Sequence, residues 1–228
     1  MGRNVSVDDL VLSCQQQVAL ENHTVIERPE WLRHISRAYG ELWTITFESG
    51  LQYFETSQQF TTDGTLNYLA EPSNLLSLVG VSFIEDAASG AFADLRALQP
   101  QERSRASRLV GPWGAARFYA HVDDRIYLYP KPLVNQVYEV RYVPQSPDLM
   151  TFDGDMCVDV VTPDGHDFLI WGVAVRVSGK TEAEAMLFAS ERNDARKRFA
   201  ESVRQRALTA PRRLIVEDDV MTSDEDLW

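Results

Sequence analysis

The side chains able to move protons or hold metals are few and scattered. His23, His34, His121 and His166 do not fall at spacings such as HExxH, in which two imidazoles share one helix face and one zinc ion. Cys14 and Cys157 lie far apart with no CxxC, so neither a disulfide framework nor a zinc site is expected. Asp123-Asp124 and Asp153-Gly154-Asp155 place carboxylates close together. Both stand between predicted strands, where turn chemistry explains Asp and Gly, and the second lacks the spacing and final glutamate of a calcium loop. His166-Asp167 pairs a base with an acid, as hydrolytic chemistry requires, but no GxSxG supplies a nucleophile. Neither GxxxxGK[ST] nor GxGxxG occurs. Phe118, Tyr119, Tyr127, Tyr129, Tyr138 and Tyr142 form an aromatic set of the kind that stacks nucleic-acid bases. Only Arg117, Arg125, Lys131 and Arg141 interleave it, and cross-strand packing accounts for it better. Local motifs therefore point to no enzyme and no cofactor.

The elements carrying these residues read as α+β. The chain has 228 residues, 44% of them hydrophobic, enough for one compact domain or two small ones. Ser6 is a candidate N-cap for a helix over 6–21, with Asp8 and Asp9 in its first turn and Leu10, Cys14 and Val18 on its apolar face. Pro29 starts a second helix over 29–43, with Trp31, Ile35, Ala38, Tyr39 and Leu42 on one side. Strand patterns follow: Thr44–Glu48, then Gln58–Thr62 and Thr65–Leu69 joined at Asp63-Gly64, then Leu78–Ile84. Residues 85–112 read as a polar excursion with a short helical piece around Asp94–Leu98. Arg117–Val122 and Arg125–Tyr129 form a predicted hairpin ended by Pro130-Lys131-Pro132. Gln136–Val143 alternates, with Tyr138, Val140 and Tyr142 on the apolar side. Thr162-Pro163 starts an apolar helix around Trp171, and Thr181–Ala207 is a long charged one with Ala185, Phe188, Ala195, Phe199 and Val203 as its stripe. The division expected is a helical bundle from 1–43 and 162–210, an antiparallel β insertion over 44–161, and an extended acidic arm over 211–228.

Net charge is −12, a poor basis for gripping nucleic acid over a broad face, where neutralising phosphates supplies most of the affinity. The charge is also divided. From Lys180 to Arg213 there are nine Lys/Arg against five Asp/Glu, whereas Glu217–Trp228 carries six acids and no base. Contacts with sister copies or a partner, and a solvated helix with a frayed tail, explain this equally well at this point. No run suits a signal peptide or a bilayer span, and the chain is expected in a reducing cytosol, away from membranes.

Three stretches carry a family resemblance. They are the helical pair ending RAYGELWTITFE, the block DDRIYLYPKPLVNQVYEVRYVPQSPDL, and the helices of PDGHDFLIWGVAVRVSGKTEAEAMLFASERNDARKRFAESVR. In this order they resemble the head-to-tail adaptors, or head-completion proteins, of tailed bacteriophages, including the tail tubular protein A type. The resemblance covers about residues 6–210 and consists of architectural patterns, not catalytic residues. It implies a structural virion protein of the neck, assembled in the host cytoplasm. Such a protein forms a ring, usually of twelve copies, beneath the portal protein, extends the DNA channel without binding the genome specifically, and carries tail or nozzle proteins. Because relatives often dock their C-terminal segment on the portal, it also implies Arg212, Arg213, Leu214, Ile215, Val216 and Trp228 as contacts to the portal or to a neighbouring subunit. The alternatives are another neck or tail-interface structural protein, or a small intracellular hydrolase.

Overall fold

The computed structural model describes residues 4–18, 26–51, 53–86, 91–98, 114–151, 156–181 and 185–209. The architecture is α+β, as the pattern of elements implies. Strand β1 (Asn4–Ser6) leads into helix α1 (Val7–Gln17), and Ser6 ends one and caps the other: its Oγ accepts a hydrogen bond from the Asp9 N–H at 3.0 Å. Helix α2 (Arg28–Glu48) takes Pro29 in its first turn and buries Trp31, Ile35, Ala38, Tyr39, Leu42 and Thr46 along one face. The late helices are α3 (Pro163–Thr181) and α4 (Ala185–Thr209). The Thr162 hydroxyl caps α3, accepting from the Gly165 N–H at 3.3 Å. These helices enclose one core, in which Phe168 of α3 stacks on Phe199 of α4 at 5.8 Å.

Two four-stranded sheets lie between α2 and α3. One has the order β2 (Thr56–Asp63), β9 (Val134–Pro144), β4 (Leu75–Asp86), β5 (Ala91–Asp94). The other runs β3 (Tyr68–Ala70), β8 (Arg125–Tyr129), β7 (Phe118–Val122), β6 (Arg96–Ala97). They share a second core containing Val81, Ile126, Leu128, Tyr138 and Val140. The β7–β8 hairpin and the burial of Tyr138, Val140 and Tyr142 follow the sequence reading. Helices and sheets meet where the Trp43 indole N–H donates to the Pro144 carbonyl at 2.9 Å.

Three local expectations are corrected. Thr44–Glu48 is not a strand but the end of α2. The Thr44 and Thr46 hydroxyls bond back to the Gly40 and Leu42 carbonyls, and Thr46 is fully buried, so the helical period continues past the apparent alternation. Asp63-Gly64 joins no hairpin: β2 pairs with β9 and β3 with β8, so this turn carries the chain between sheets. Around Asp94–Leu98 the chain is extended. Leu95 is buried in the β core, and its N–H donates to the Val81 carbonyl at 2.8 Å, an anchorage that a single isolated helical turn would lack. Residues 91–97 are therefore part of both sheets, and the remainder of the expected polar excursion, 87–90 and 99–112, lies outside the described residues.

One strand pairing was not anticipated. Strand β1 pairs antiparallel with β10 (Cys157–Asp159), bringing the start of the chain beside the entrance to α3. That entrance is tightly locked. Val161 has φ 62°, in the left-handed region that a β-branched residue rarely adopts. Its N–H donates to Asp159 Oδ1 at 2.8 Å and its carbonyl accepts from Arg206 at 2.6 Å. The hydroxyls of Tyr39 and Tyr53 donate to the Asp159 carbonyl at 3.1 Å and to its Oδ2 at 2.6 Å. Burial pushes the Tyr53 phenol up to about 12, and the Asp159 carboxylate, by bonding the neutral phenol, adds to the shift.

Candidate assembly surfaces

Among the described residues, the side chains of types that do catalysis are dispersed in the fold. His34 is buried on α2; burial and the nearby Arg176, Arg37 and Arg33 hold its pKa below the ordinary histidine value. His121 Nε2 lies 2.6 Å from Glu71 Oε2 at the edge of the β7–β8 hairpin. His166 and Asp167 stand side by side in the first turns of α3, their nearest charged atoms 3.9 Å apart. Asp123 occupies the β7–β8 turn at φ 54°, which accounts for the Asp123-Asp124 pair. Cys14 is buried, and that burial pushes its thiol up to about 12. His23 and Asp153-Gly154-Asp155 fall outside the described residues, and among those described no three His, Cys, Asp or Glu side chains gather as a metal site.

The aromatic set divides in the same way. Tyr138 is fully buried 5.4 Å from Phe83, and its hydroxyl accepts from the Ala116 N–H at 3.0 Å. Tyr142 is buried and donates to Asn74 at 3.1 Å. Both are core residues. Tyr127 meets Tyr68 across β3–β8 at 5.8 Å, with the Arg125 guanidinium 4.6 Å above the Tyr68 ring.

What remains are surfaces. The first is the groove between α2 and α4. Glu41 of α2 holds the helices in place by binding two arginines, Arg176 of α3 and Arg192 of α4, the second at 2.6 Å. Beyond this clamp, Arg192, Arg196 and Arg204 rise along α4 at multiples of four residues, facing Arg37, Thr44, Ile45 and Glu48 of α2. The upper part encloses about 410 Å³. Arg37, Arg196 and Arg204 are exposed and make no ion pair with any described residue. Arg192 Nε is buried there without a hydrogen-bond partner.

The second surface is the edge of β2. Among the described residues this strand pairs only with β9, and most of its side chains are exposed. Thr56–Asp63 contains no Lys, Arg or Pro, the residues with which lone sheets blunt an edge. The third is an apolar tip. Val134 pairs with Asp63 across β2–β9, bringing exposed Leu133 and Val134 (56% and 60%) to the turn that carries Leu66 (46%). Met186, in the first turn of α4, is 91% exposed.

Among the described residues, the arginine groove, the β2 edge and the apolar tip are the exposed faces that stand out. The SU10 adaptor protein family matches residues 8–215, from the first turn of α1 to beyond the end of α4. The chain belongs to this family. Its members are phage head–tail adaptors, the class that the order of segments resembles, and the adaptor is a structural component of the head–tail junction. No curated protein matches the chain. The match includes residues 85–112 and ends within the basic-apolar run, so Glu217–Trp228 lies past it.

All six contact residues suggested by the resemblance, Arg212, Arg213, Leu214, Ile215, Val216 and Trp228, lie outside the described residues. The structure assembles a different set, the Glu41 clamp and its arginine groove. Glu41 is separated from Arg176 and Arg192 by 135 and 151 positions, and no local pattern announces such a pairing.

Proposed function

We propose that this adaptor forms a cyclic ring beneath the portal, extends the DNA channel and presents a platform to tail or nozzle proteins. The observation that carries the reading is the family match over nearly the whole chain. The geometry supports it: a locked helical block joined to a β region leaves an open strand edge at β2 and an apolar tip at Leu66, Leu133 and Val134, faces suited to sister copies. Twelve copies is the ring size carried over from the resemblance. With −12 per chain, acidic residues facing the lumen would repel DNA phosphates and let the genome slide.

On this reading the adaptor works through binding and not through bond-making. Arg212–Val216 and Trp228 belong to the contact with the portal or a neighbouring subunit, with the aromatic ring and the aliphatic run as anchors. The protein is mixed with its portal and examined by sedimentation and electron microscopy. The expected result is a co-sedimenting complex with cyclic symmetry. A chain that stays solitary beside the portal overturns the proposal. Replacing Leu214, Ile215 and Trp228 with Ser should weaken portal binding, and unchanged binding removes the arm from the contact.

A further inference from the structure

We propose that the acidic segment Glu217–Trp228 folds back into the arginine groove between α2 and α4 of its own chain while the adaptor is free. This goes beyond the ring reading and does not depend on it. In a chain with net charge −12, the groove gathers Arg37, Arg196 and Arg204, exposed and without ion pairs to described residues. Of its two lining acids, Glu41 is already engaged by Arg176 and Arg192, leaving Glu48 to face three guanidinium groups. Guanidinium groups in a shallow cleft favour carboxylates, which they bind through paired N–H donors. The ligand that this surface fits is therefore an acidic peptide, and the chain itself carries one: six acids and no base within Glu217–Trp228.

The reach is sufficient. Helix α4 ends at Thr209, about 8 Å along the axis from Arg204 and about 26 Å from Arg192 at 1.5 Å per residue. Residues 210–216 span up to about 24 Å when extended, so Glu217 and the acids after it can lie beside Arg204, Arg196 and Arg192 in turn. A tether this short gives an effective concentration on the order of millimolar, which favours the chain's own segment over one from a second molecule in dilute solution. Docking there would hold the nearby Arg212–Val216 run beside α4 until a partner displaces the arm.

The test uses the full chain bearing Cys157→Ser, with nitroxide labels on Lys197→Cys and Thr222→Cys, and reads the distance by double electron–electron resonance. Lys197 is 80% exposed and follows Arg196, while the remaining thiol, Cys14, is buried. At low salt a short, narrow distance distribution is expected. In 1 M salt, where the screening length falls to about 3 Å, it should broaden and lengthen. Arg196→Glu with Arg204→Glu should do the same at low salt, and adding Asp224→Lys, Glu225→Lys and Asp226→Lys should restore the narrow peak. A broad distribution under every condition overturns the proposal, and the salt comparison decides the matter even if the charge variants fail to fold. Loss of the short distance on dilution with unlabelled chain overturns it in favour of a second copy. Duplex DNA retarded at low salt through the same arginines, with the label distance unchanged, overturns it in favour of a phosphate ligand. None of these outcomes bears on whether the portal complex forms.

Discussion

Replacing Gly165 with Ala should destabilise the adaptor, whereas the same change at Gly40 should stabilise it, although both glycines lie in helices. At Gly165 an added Cβ would lie 2.1 Å from the Val160 carbonyl oxygen, 3.1 Å from Phe199 and 3.2 Å from Leu42. The first contact is with backbone, held where it is by the bonds from Asp159 and Arg206 to Val161, so the chain cannot easily yield. Overpacking of a well-filled interior costs about 1–3 kcal/mol and sometimes more. A clash with fixed backbone belongs at the top of that range, and the reduced freedom of the unfolded chain offsets less than about 1 kcal/mol of it. A net loss of about 2–3 kcal/mol lowers the Tm by roughly 4–12 °C for a chain of this size. At Gly40 the new Cβ would lie 3.6 Å from Ser146 Oγ, an ordinary contact in the middle of α2, where Ala is favoured over Gly by about 1 kcal/mol. That raises the Tm by roughly 2–4 °C. Thermal unfolding followed by circular dichroism at one protein concentration, with urea midpoints as a second measure, separates the two. A G165A variant as stable as the parent would refute the claim that the β10–α3 elbow is rigid.

Three further outcomes follow from particular groups. Glu41→Gln should cost about 1 kcal/mol, a modest figure because Glu41 is 40% exposed and solvent screens the pair, and the loss should shrink at high salt; a coupling near zero with both Arg176→Gln and Arg192→Gln in double-mutant cycles would show that the clamp contributes nothing. The Asp63 carboxyl is held down to about 2, first by the Thr65 hydroxyl and then by the Thr65 and Leu66 N–H groups. Its folded value lies below the unfolded one, so its stabilising contribution is complete above about pH 4 and lost as pH falls through about 2; an NMR carboxyl titration with a midpoint near 4 would contradict this. A thiol reagent at pH 8 should label Cys157 in the folded protein and both cysteines in denaturant, and rapid labelling of Cys14 in the native state would show that α1 is not packed as described.

The groups that act within one element were legible in the sequence. Ser6 as a cap, Pro29 and Pro163 as helix starts, the β7–β8 hairpin and the alternation that buries Tyr138, Val140 and Tyr142 all follow from neighbours within a few positions. The order of segments was legible for the same reason, and its resemblance pointed to phage head–tail adaptors, the class of the family that the chain belongs to. Where the reading failed, the deciding partner was far away. Thr44–Glu48 alternates like a strand but ends a helix because Thr46 is buried in the helical core, and Asp63-Gly64 has the composition of a hairpin turn although its flanking strands find β9 and β8 instead of each other. Short apolar or alternating runs fit either period, and tertiary packing selects between them. The β1–β10 pair, the bonds from Tyr39 and Tyr53 to Asp159 and the Glu41 clamp with its arginine groove depend on residues more than a hundred positions apart. Local spacing determined which elements this chain can form, while long-range burial and pairing of charges, which no window of sequence contains, decided how those elements combine into surfaces.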